Sequence, residues 1–434
     1  MKNRDTIINK NSVFVKNAIM QYIMIIAQYI FPLLTFPYLT RVLNPSAYGT
    51  ITYLTATVSY FQIIVDFGFN LSSTKNIAEQ QNDVTFISKI LGSTIQAKTL
   101  LFIFSVVIYT IMIPFVDILK DNILLSYLYM GSVGLSIFLP DFLFRGIEKM
   151  EIITIRFIMS KIVTTILTFV LVKSVNDIAL IPTLNIVGYI VAILLTWYEI
   201  YRLGIHIRYS KFFYVLKVIK ESSIYFLSTF ATTAFGATNT FMLGVMSLPP
   251  THIAYWGISY NLISSAQSLY TPIINSLYPR MAVGKDFNLV KKILYIFMPA
   301  ILITVIIVYY FSDLIIDVFC GPGYSESIPV FRFLLPVLIF SFPGMIIGFP
   351  VLGVIGKVKD TTISTIFSAV FHIVGLVILV YFNKFTILNV AILRSLTEAV
   401  LLFIRIYFLS RAKREGVFYA ELRNSKYWRN WSIA

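Results

Sequence analysis

Long apolar runs alternate with short polar segments along the whole chain. Twelve such runs stand out, at 17–40, 48–69, 89–115, 123–144, 157–172, 179–199, 222–247, 253–277, 293–312, 327–353, 362–382 and 388–409. A helix needs about 20 mostly apolar residues to cross a bilayer, so the pattern predicts an all-α integral membrane protein with about twelve transmembrane helices. The polar arm before the first run carries Lys2, Arg4, Lys10 and Lys16. The run behind it is too long for a signal-peptide core and lacks a small-residue cleavage site, so it reads as the first span. No connection is long. The largest, near 200–220, has about 20 residues, which leaves no room for an extramembrane catalytic domain.

Charge orients the spans. An even number returns both termini to one side. Of the 35 Lys and Arg residues, 26 fall in segments on that side, four (Arg41, Lys120, Lys173, Lys384) on the other, and five inside runs. This bias places both termini in the cytoplasm. Composition agrees: 58% of residues are apolar and 13% charged, against roughly 25% charged in soluble domains. A soluble enzyme is excluded. The net charge of +15 belongs to cytoplasmic loops over anionic lipid, not to a nucleic-acid surface. A single cysteine, Cys320, excludes an intrachain disulfide and any cysteine metal site.

The pattern repeats. Pro140, Gly146 and Lys149 share their spacing with Pro350, Gly356 and Lys359, and Tyr48-Gly49 with Tyr53 is echoed by Trp256-Gly257 with Tyr260. A parallel six-plus-six duplication follows, the arrangement of carriers with a central site between halves. The expected layout is a six-helix lobe over 1–199, a basic cytoplasmic linker at 200–221, a second six-helix lobe over 222–409 and a basic cytoplasmic tail at 410–434. The tenth run carries Pro329, Pro336, Pro343 and Pro350. One proline every seven residues marks either a bent packing helix or a flexible gate.

Ionisable groups inside spans are costly and point to function unless packing explains them. Lys98, Lys161, Arg332, Arg394 and Arg405 lie inside runs, with Asp66 and Asp141 near run ends. For Asp66, Asp141, Lys161 and Arg405 the alternative is an interfacial side chain that snorkels to water. Arg394 and Glu398, at i and i+4, share a helix face and read either as a structural ion pair or as part of a site. A cavity lined by unpaired cations suits an anionic substrate such as a diphosphate. Gln21, Gln28, Gln96, Asn239, Asn261, Gln267 and Asn275 suit either a sugar or helix bridging.

No P-loop, GxSxG or HExxH occurs, and His206, His252 and His372 are too scattered to form a metal set. Without an ATPase or cofactor, transport must draw on an H+ or Na+ gradient, the membrane potential or downhill substrate flux. Asp117 and Asp121 form a D-x3-D pair in a short outer loop, the one feature a membrane polysaccharide polymerase or ligase would use.

The stretch Phe31-Pro-Leu-Leu-Thr-Phe-Pro-Tyr-Leu-Thr-Arg41, followed by Tyr48-Gly49, Tyr60-Phe61 and Asp66-Phe67-Gly68-Phe69, resembles the Wzx-type polysaccharide flippases of the multidrug/oligosaccharidyl-lipid/polysaccharide (MOP) exporter superfamily. Asp141-Phe-Leu-Phe144-Arg145-Gly146 is similar to their fourth-helix motif, with Arg145 where Gln is expected. Asn239-Thr-Phe-Met-Leu-Gly244 is similar to a seventh-helix motif, with Asn239 where an acid often stands. The resemblance implies a two-lobed carrier in the bacterial inner membrane. Such a carrier moves polyprenyl-diphosphate-linked oligosaccharide to the periplasmic leaflet for O-antigen, capsule or exopolysaccharide synthesis. It implies membrane lipids, a polysaccharide polymerase and a chain-length regulator as partners. Joined to the residue reading, it makes Arg41, Lys98, Arg332 and Arg394 the expected cavity cations, and Asp66, Asp141 and Glu398 the coupling or switching acids. The rival reading, a multidrug antiporter of the same superfamily, calls for acidic cavities, whereas the in-span charge here is cationic.

Overall fold

The structure, a computed structural model, describes residues 2–416, with side chains described from residue 16 onward outside 227–236 and 283. The expected basic tail is thus described only to residue 416. Helices make up the fold, and no strand occurs among the described residues. The first ten are α1 Lys2–Val42, α2 Pro45–Asp66, α3 Phe69–Glu79, α4 Val84–Met112, α5 Asp117–Asp121, α6 Ile123–Ser136, α7 Asp141–Gly146, α8 Met150–Leu171, α9 Leu180–Arg202 and α10 Phe212–Val245. There follow α11 Pro250–Ser268, α12 Thr271–Gly284, α13 Phe287–Tyr310, α14 Ser312–Cys320, α15 Ser327–Leu334, α16 Pro336–Ile346, α17 Val358–Tyr381 and α18 Ile387–Arg414. The chain divides into two compact units, Met1–Ile253 and Ala254–Ala434.

Each of the twelve apolar runs is helical over most of its length. Among the described residues, nine helical stretches are long and apolar enough to cross a membrane, which makes this a multi-pass membrane protein. The other three runs, on α2, α10 and α11 with α12, are diluted by Ser, Thr, Tyr and Asn. For α2 the reason is burial: twelve of its 22 residues are buried against neighbouring helices. A helix wrapped in protein meets little lipid and needs no apolar coat on every side. On α4 the opposite holds beyond its midpoint, where Ile103, Phe104, Val107 and Ile111 form an exposed apolar stripe.

In the first unit, α8 packs on α1 and α9, α6 on α9, and α2 on α4, α6 and α10. The turn from α2 to α3 explains the Asp-Phe-Gly-Phe motif residue by residue. Asp66 closes α2, and Phe67 (φ 38°) and Gly68 (φ 74°) both take left-handed backbone. Gly68 suits that conformation for want of a Cβ. A Cβ there would also lie 2.7 Å from the Phe226 backbone nitrogen. Phe67 stacks on Phe226 with centroids 4.4 Å apart, and Phe69 is fully buried. The motif is a corner that turns the chain while leaving Asp66 facing inward.

In the second unit, α18 packs against α15, α16 and α17. The proline-rich run is not one helix. It breaks into α15, α16 and a π turn over Ile347–Gly353, with non-helical backbone at Gly348 (ψ −119°). Arg405 of α18 is buried here. It donates to the Gly344 carbonyl (2.7 Å), Ser364 Oγ (3.2 Å) and Thr365 Oγ1 (3.1 Å). The break at Gly348 disturbs the local helical ladder, and the guanidinium supplies a donor to a carbonyl beside it. Arg405 is therefore a buried brace, not a snorkelling side chain.

A backbone feature recurs at an offset of 208, two short of the 210 that separates Pro140, Gly146 and Lys149 from Pro350, Gly356 and Lys359. Lys149 N–H donates to the Phe144 carbonyl (2.8 Å), and 208 residues later Lys357 N–H donates to the Leu352 carbonyl (2.9 Å). The residue before each, Glu148 and Gly356, has positive φ. Trp256-Gly257 follows Tyr48-Gly49 at the same offset.

Candidate functional site

A cavity of about 340 Å3 opens within the first unit, lined from α1, α2, α3, α4, α6, α7, α8 and α9. Its wall is charged. Lys98, Arg145, Arg156 and Lys161 face Asp66 and Asp141, a formal balance of +2. Gln28, Gln62, Asn70, Asn185 and Tyr189 supply hydrogen-bonding groups between the charges.

The charges are arranged unequally. Lys98 on α4 is 2% exposed and meets Asp66 of α2 at 2.7 Å. Gln62, one turn before Asp66, donates to its second oxygen at 2.8 Å and to Ser136 Oγ of α6 at 3.0 Å. Arg156 on α8 is likewise buried, pairs with Asp141 of α7, and donates to Thr196 of α9 at 2.9 Å. Each pair joins separate helices, and each acid stays partly open to the cavity. Arg145 and Lys161 differ: among the described residues neither has a carboxylate partner. The Arg145 Nε is buried without an acceptor, and so is the Asn70 carbonyl oxygen without a donor. Among the described residues, the Lys161 ammonium lies over the Phe157 ring, 6.0 Å from its centroid. Buried polar atoms are rarely left unmet, and two open cations beside two paired ones make a receptor for an anion with several oxygens.

Of the residues expected from sequence, the cavity brings together Lys98, Asp66 and Asp141. Arg41, Arg332, Arg394 and Glu398 are not among its lining residues. Arg332 is engaged by Asp313 (2.9 Å) and Ser312 Oγ (2.6 Å) and lies over the Tyr309 ring. Arg394 and Glu398 form a buried i,i+4 pair at 2.6 Å. The picture of unpaired in-span cations thus changes: Lys98 and Arg332 both have carboxylate partners, supplied by other helices. Gln96 also finds a packing role, clamping Ser210 through both its oxygen (2.8 Å) and its nitrogen (3.2 Å).

Three cavity cations had no such role in the sequence reading. Arg156 fell in a loop ahead of the apolar run at 157, but α8 begins seven residues before it, at Met150. Arg145 was a departure from a motif, and Lys161 was left between a functional in-span cation and an interfacial side chain. A signal did exist: Arg156, Ser160 and Thr164 recur every four residues, with Lys161 beside them, and so mark one polar face on an otherwise apolar helix.

Comparison with known proteins bears on this geometry. Residues 14–285 match the model of the family described as polysaccharide biosynthesis protein. The chain is 26% identical over 324 residues to a protein of Escherichia coli (strain K12) named "Putative O-antigen transporter", covering 71% of this chain and 76% of that one. It is 30% identical over 284 residues to a Shigella dysenteriae protein of the same name, covering 64% and 70%. The fold is similar to an inward-facing multidrug resistance MATE family transporter of the MOP superfamily (TM-score 0.69, 14% identity, 90% of this chain and 95% of that one). It is also similar to the lipid II flippase MurJ (TM-score 0.65, 15% identity, 94% and 91%). The likeness to these two transporters is one of fold.

Proposed function

From the premise that the chain belongs to the polysaccharide biosynthesis protein family, we propose that it is a flippase for polyprenyl-diphosphate-linked oligosaccharide repeat units. It carries them from the cytoplasmic to the periplasmic leaflet of a bacterial inner membrane, with both termini cytoplasmic. It is a transporter, not an enzyme, in keeping with the names of its relatives. The observation that carries the substrate class is the cavity's charge: four cations against two acids, two of the cations open. This favours a diphosphate over the cationic drugs of a multidrug antiporter. Polymerase and chain-length-regulator partners follow from the pathway such a flippase would serve.

In this reading Arg145 and Lys161 take the diphosphate oxygens first, and Lys98 and Arg156 turn toward it as it enters. Asp66 and Asp141 then lose their partners. An acid without its cation favours a proton or Na+ in its place, so anion binding and cation uptake become linked. Substrate release restores the two pairs. Gln28, Gln62 and Asn185 meet sugar hydroxyls, the prenyl chain stays in lipid, and the six-helix lobes over 1–199 and 222–409 rock about the linker at 200–221. Arg41, Arg332 and the Arg394–Glu398 pair then serve outside this binding step.

The test uses a deletion strain complemented with Arg145→Gln plus Lys161→Gln. Lipid-linked single units should accumulate and stay protected from external glycosidase in spheroplasts, at normal protein level. Units that accumulate but are digested would move the defect to a later step, and wild-type flux would remove the cavity from the substrate's path.

A further inference from the structure

A second concave site lies outside the cavity, where the connection 203–211 crosses the start of α4. It encloses about 600 Å3 and is walled by Lys89, Arg208, Lys211, Phe86, Tyr209 and Tyr214. Three cations converge there, and among the described residues none is paired with a carboxylate. One acid, Asp83, belongs to the wall, but its Oδ1 is committed to capping α4, accepting from Thr85 N–H (2.9 Å) and Phe86 N–H (3.0 Å). Lys89 Nζ is held 4.3 Å over the Tyr214 ring. Burial, and then Glu221, raise the pKa of the Tyr214 hydroxyl.

The wall is built rigidly. Arg208 N–H donates to the Ser88 carbonyl (3.3 Å), His206 N–H to Ser88 Oγ (3.3 Å), and Gln96 clamps Ser210 from both sides. Gly92 makes the approach possible: a Cβ there would meet the Arg208 carbonyl oxygen at 2.1 Å. So close an approach sets the Arg208 backbone against α4 and brings its side chain to the same pocket as Lys89.

Beside the cations the chain exposes an apolar rim. Tyr209 is 76% exposed, Phe212 58% and Phe213 84%. Water would penalise so much aromatic surface in five residues. A bilayer interface rewards it, since aromatic rings settle at headgroup depth. Unpaired cations behind an aromatic rim match a phospholipid: phosphate against Lys89, Arg208 and Lys211, acyl chains past Phe212 and Phe213. A basic pocket between membrane helices is a known kind of anionic headgroup site.

We propose that this pocket binds the phosphate headgroup of an anionic phospholipid and so anchors the connection between α9 and α10 to the membrane surface. The site is independent of the transport cavity. The leaflet that supplies the lipid follows from the orientation proposed above.

The test is native mass spectrometry of the purified full chain titrated with phosphatidylglycerol, set against phosphatidylcholine. Replacing three basic contacts (Lys89→Gln, Arg208→Gln, Lys211→Gln) should weaken the tightest phosphatidylglycerol binding about a hundredfold. Arg145→Gln with Lys161→Gln should leave it unchanged, which separates this site from the cavity. Lys89→Arg with Lys211→Arg should retain it. Should the triple variant fail to fold, Phe212→Ser with Phe213→Ser reads the acyl half and should also weaken binding. Wild-type binding by whichever of these two variants folds, or displacement of the lipid by millimolar glycerol 3-phosphate, would overturn the proposal, the latter in favour of a soluble anion.

Discussion

The two units bury charge in opposite ways. In the first, Lys98 and Arg156 are held by acids from other helices, around a cavity, with Arg145 and Lys161 left open beside them. In the second, Arg394 is paired with Glu398 one turn away on its own helix, and Arg405 donates to a backbone carbonyl and two hydroxyls. Neither lines the cavity of the first unit. A cation shared between helices beside an accessible space can exchange its partner. A cation whose carboxylate sits one turn away on the same helix, or that braces a broken backbone ladder, gives up that partner only with loss of structure. Burial alone therefore does not mark a transport residue; the partner's location does.

The comparison breaks most readily at Glu398. Glu398→Leu leaves a buried guanidinium without its carboxylate, which costs about 3–5 kcal/mol. Thermal unfolding in detergent should show that loss, and Arg394→Leu in the same chain should recover most of it. If Glu398→Leu were fully stable yet inactive, the second unit would hold an exchangeable charge after all. The cavity should respond the other way. Arg145→Gln with Lys161→Gln removes two cations that, among the described residues, no acid pairs with. Each charged contact to a phosphate contributes about 1.5–3 kcal/mol, so flipping should fall tenfold or more while the melting temperature moves little. A large drop in melting temperature would place these two cations with the structural set.

Arg405 sharpens the contrast at smaller cost. Arg405→Lys keeps the charge but cannot reach the Gly344 carbonyl, Ser364 and Thr365 together, since an ammonium lacks the guanidinium's fork. Stability should fall by about 1–2 kcal/mol, read as a shift in the unfolding midpoint. Retention of wild-type stability would mean that the bend at Gly348 holds without it.

These contrasts mark where sequence reading succeeds and where it stops. The all-α, multi-pass membrane class was legible because hydrophobic length is a local property. Asp66, Lys98 and Asp141 were legible as unusual residues, but their pairing was not. Asp66 and Lys98 are 32 positions apart and meet only because α2 packs on α4. Arg156 was misplaced because Glu151, Thr154 and Arg156 itself interrupt the apolar residues in the first two turns of α8, so the continuous apolar run begins after it. Arg405 was misread because its acceptor is a backbone carbonyl 61 positions earlier, at a break whose local geometry no apolar count reveals. Nearest-neighbour pairs are written in the spacing, as Arg394 with Glu398 shows. Pairs made by packing need the fold.

The smallest effect concerns a charge outside the buried sets. Glu415, just past α18, accepts from Lys357 Nζ (2.9 Å) and Arg411 Nε (2.6 Å), tying the start of α17 to the end of α18. These two hydrogen bonds hold its carboxyl below the usual range. A depressed pKa means the clasp stabilises the folded state fully above the unfolded carboxylate pKa, and the contribution is lost as pH falls through the folded value. Both partners stay charged throughout, so the loss comes from Glu415 alone. The protection factors of amides in the last turn of α18, corrected for the intrinsic pH dependence of exchange, should therefore fall on acidification in the wild type, and less so in Glu415→Gln, which has already lost the charge. Equal acid sensitivity in the two proteins would remove the clasp from the account and leave the ends of α17 and α18 joined by packing alone.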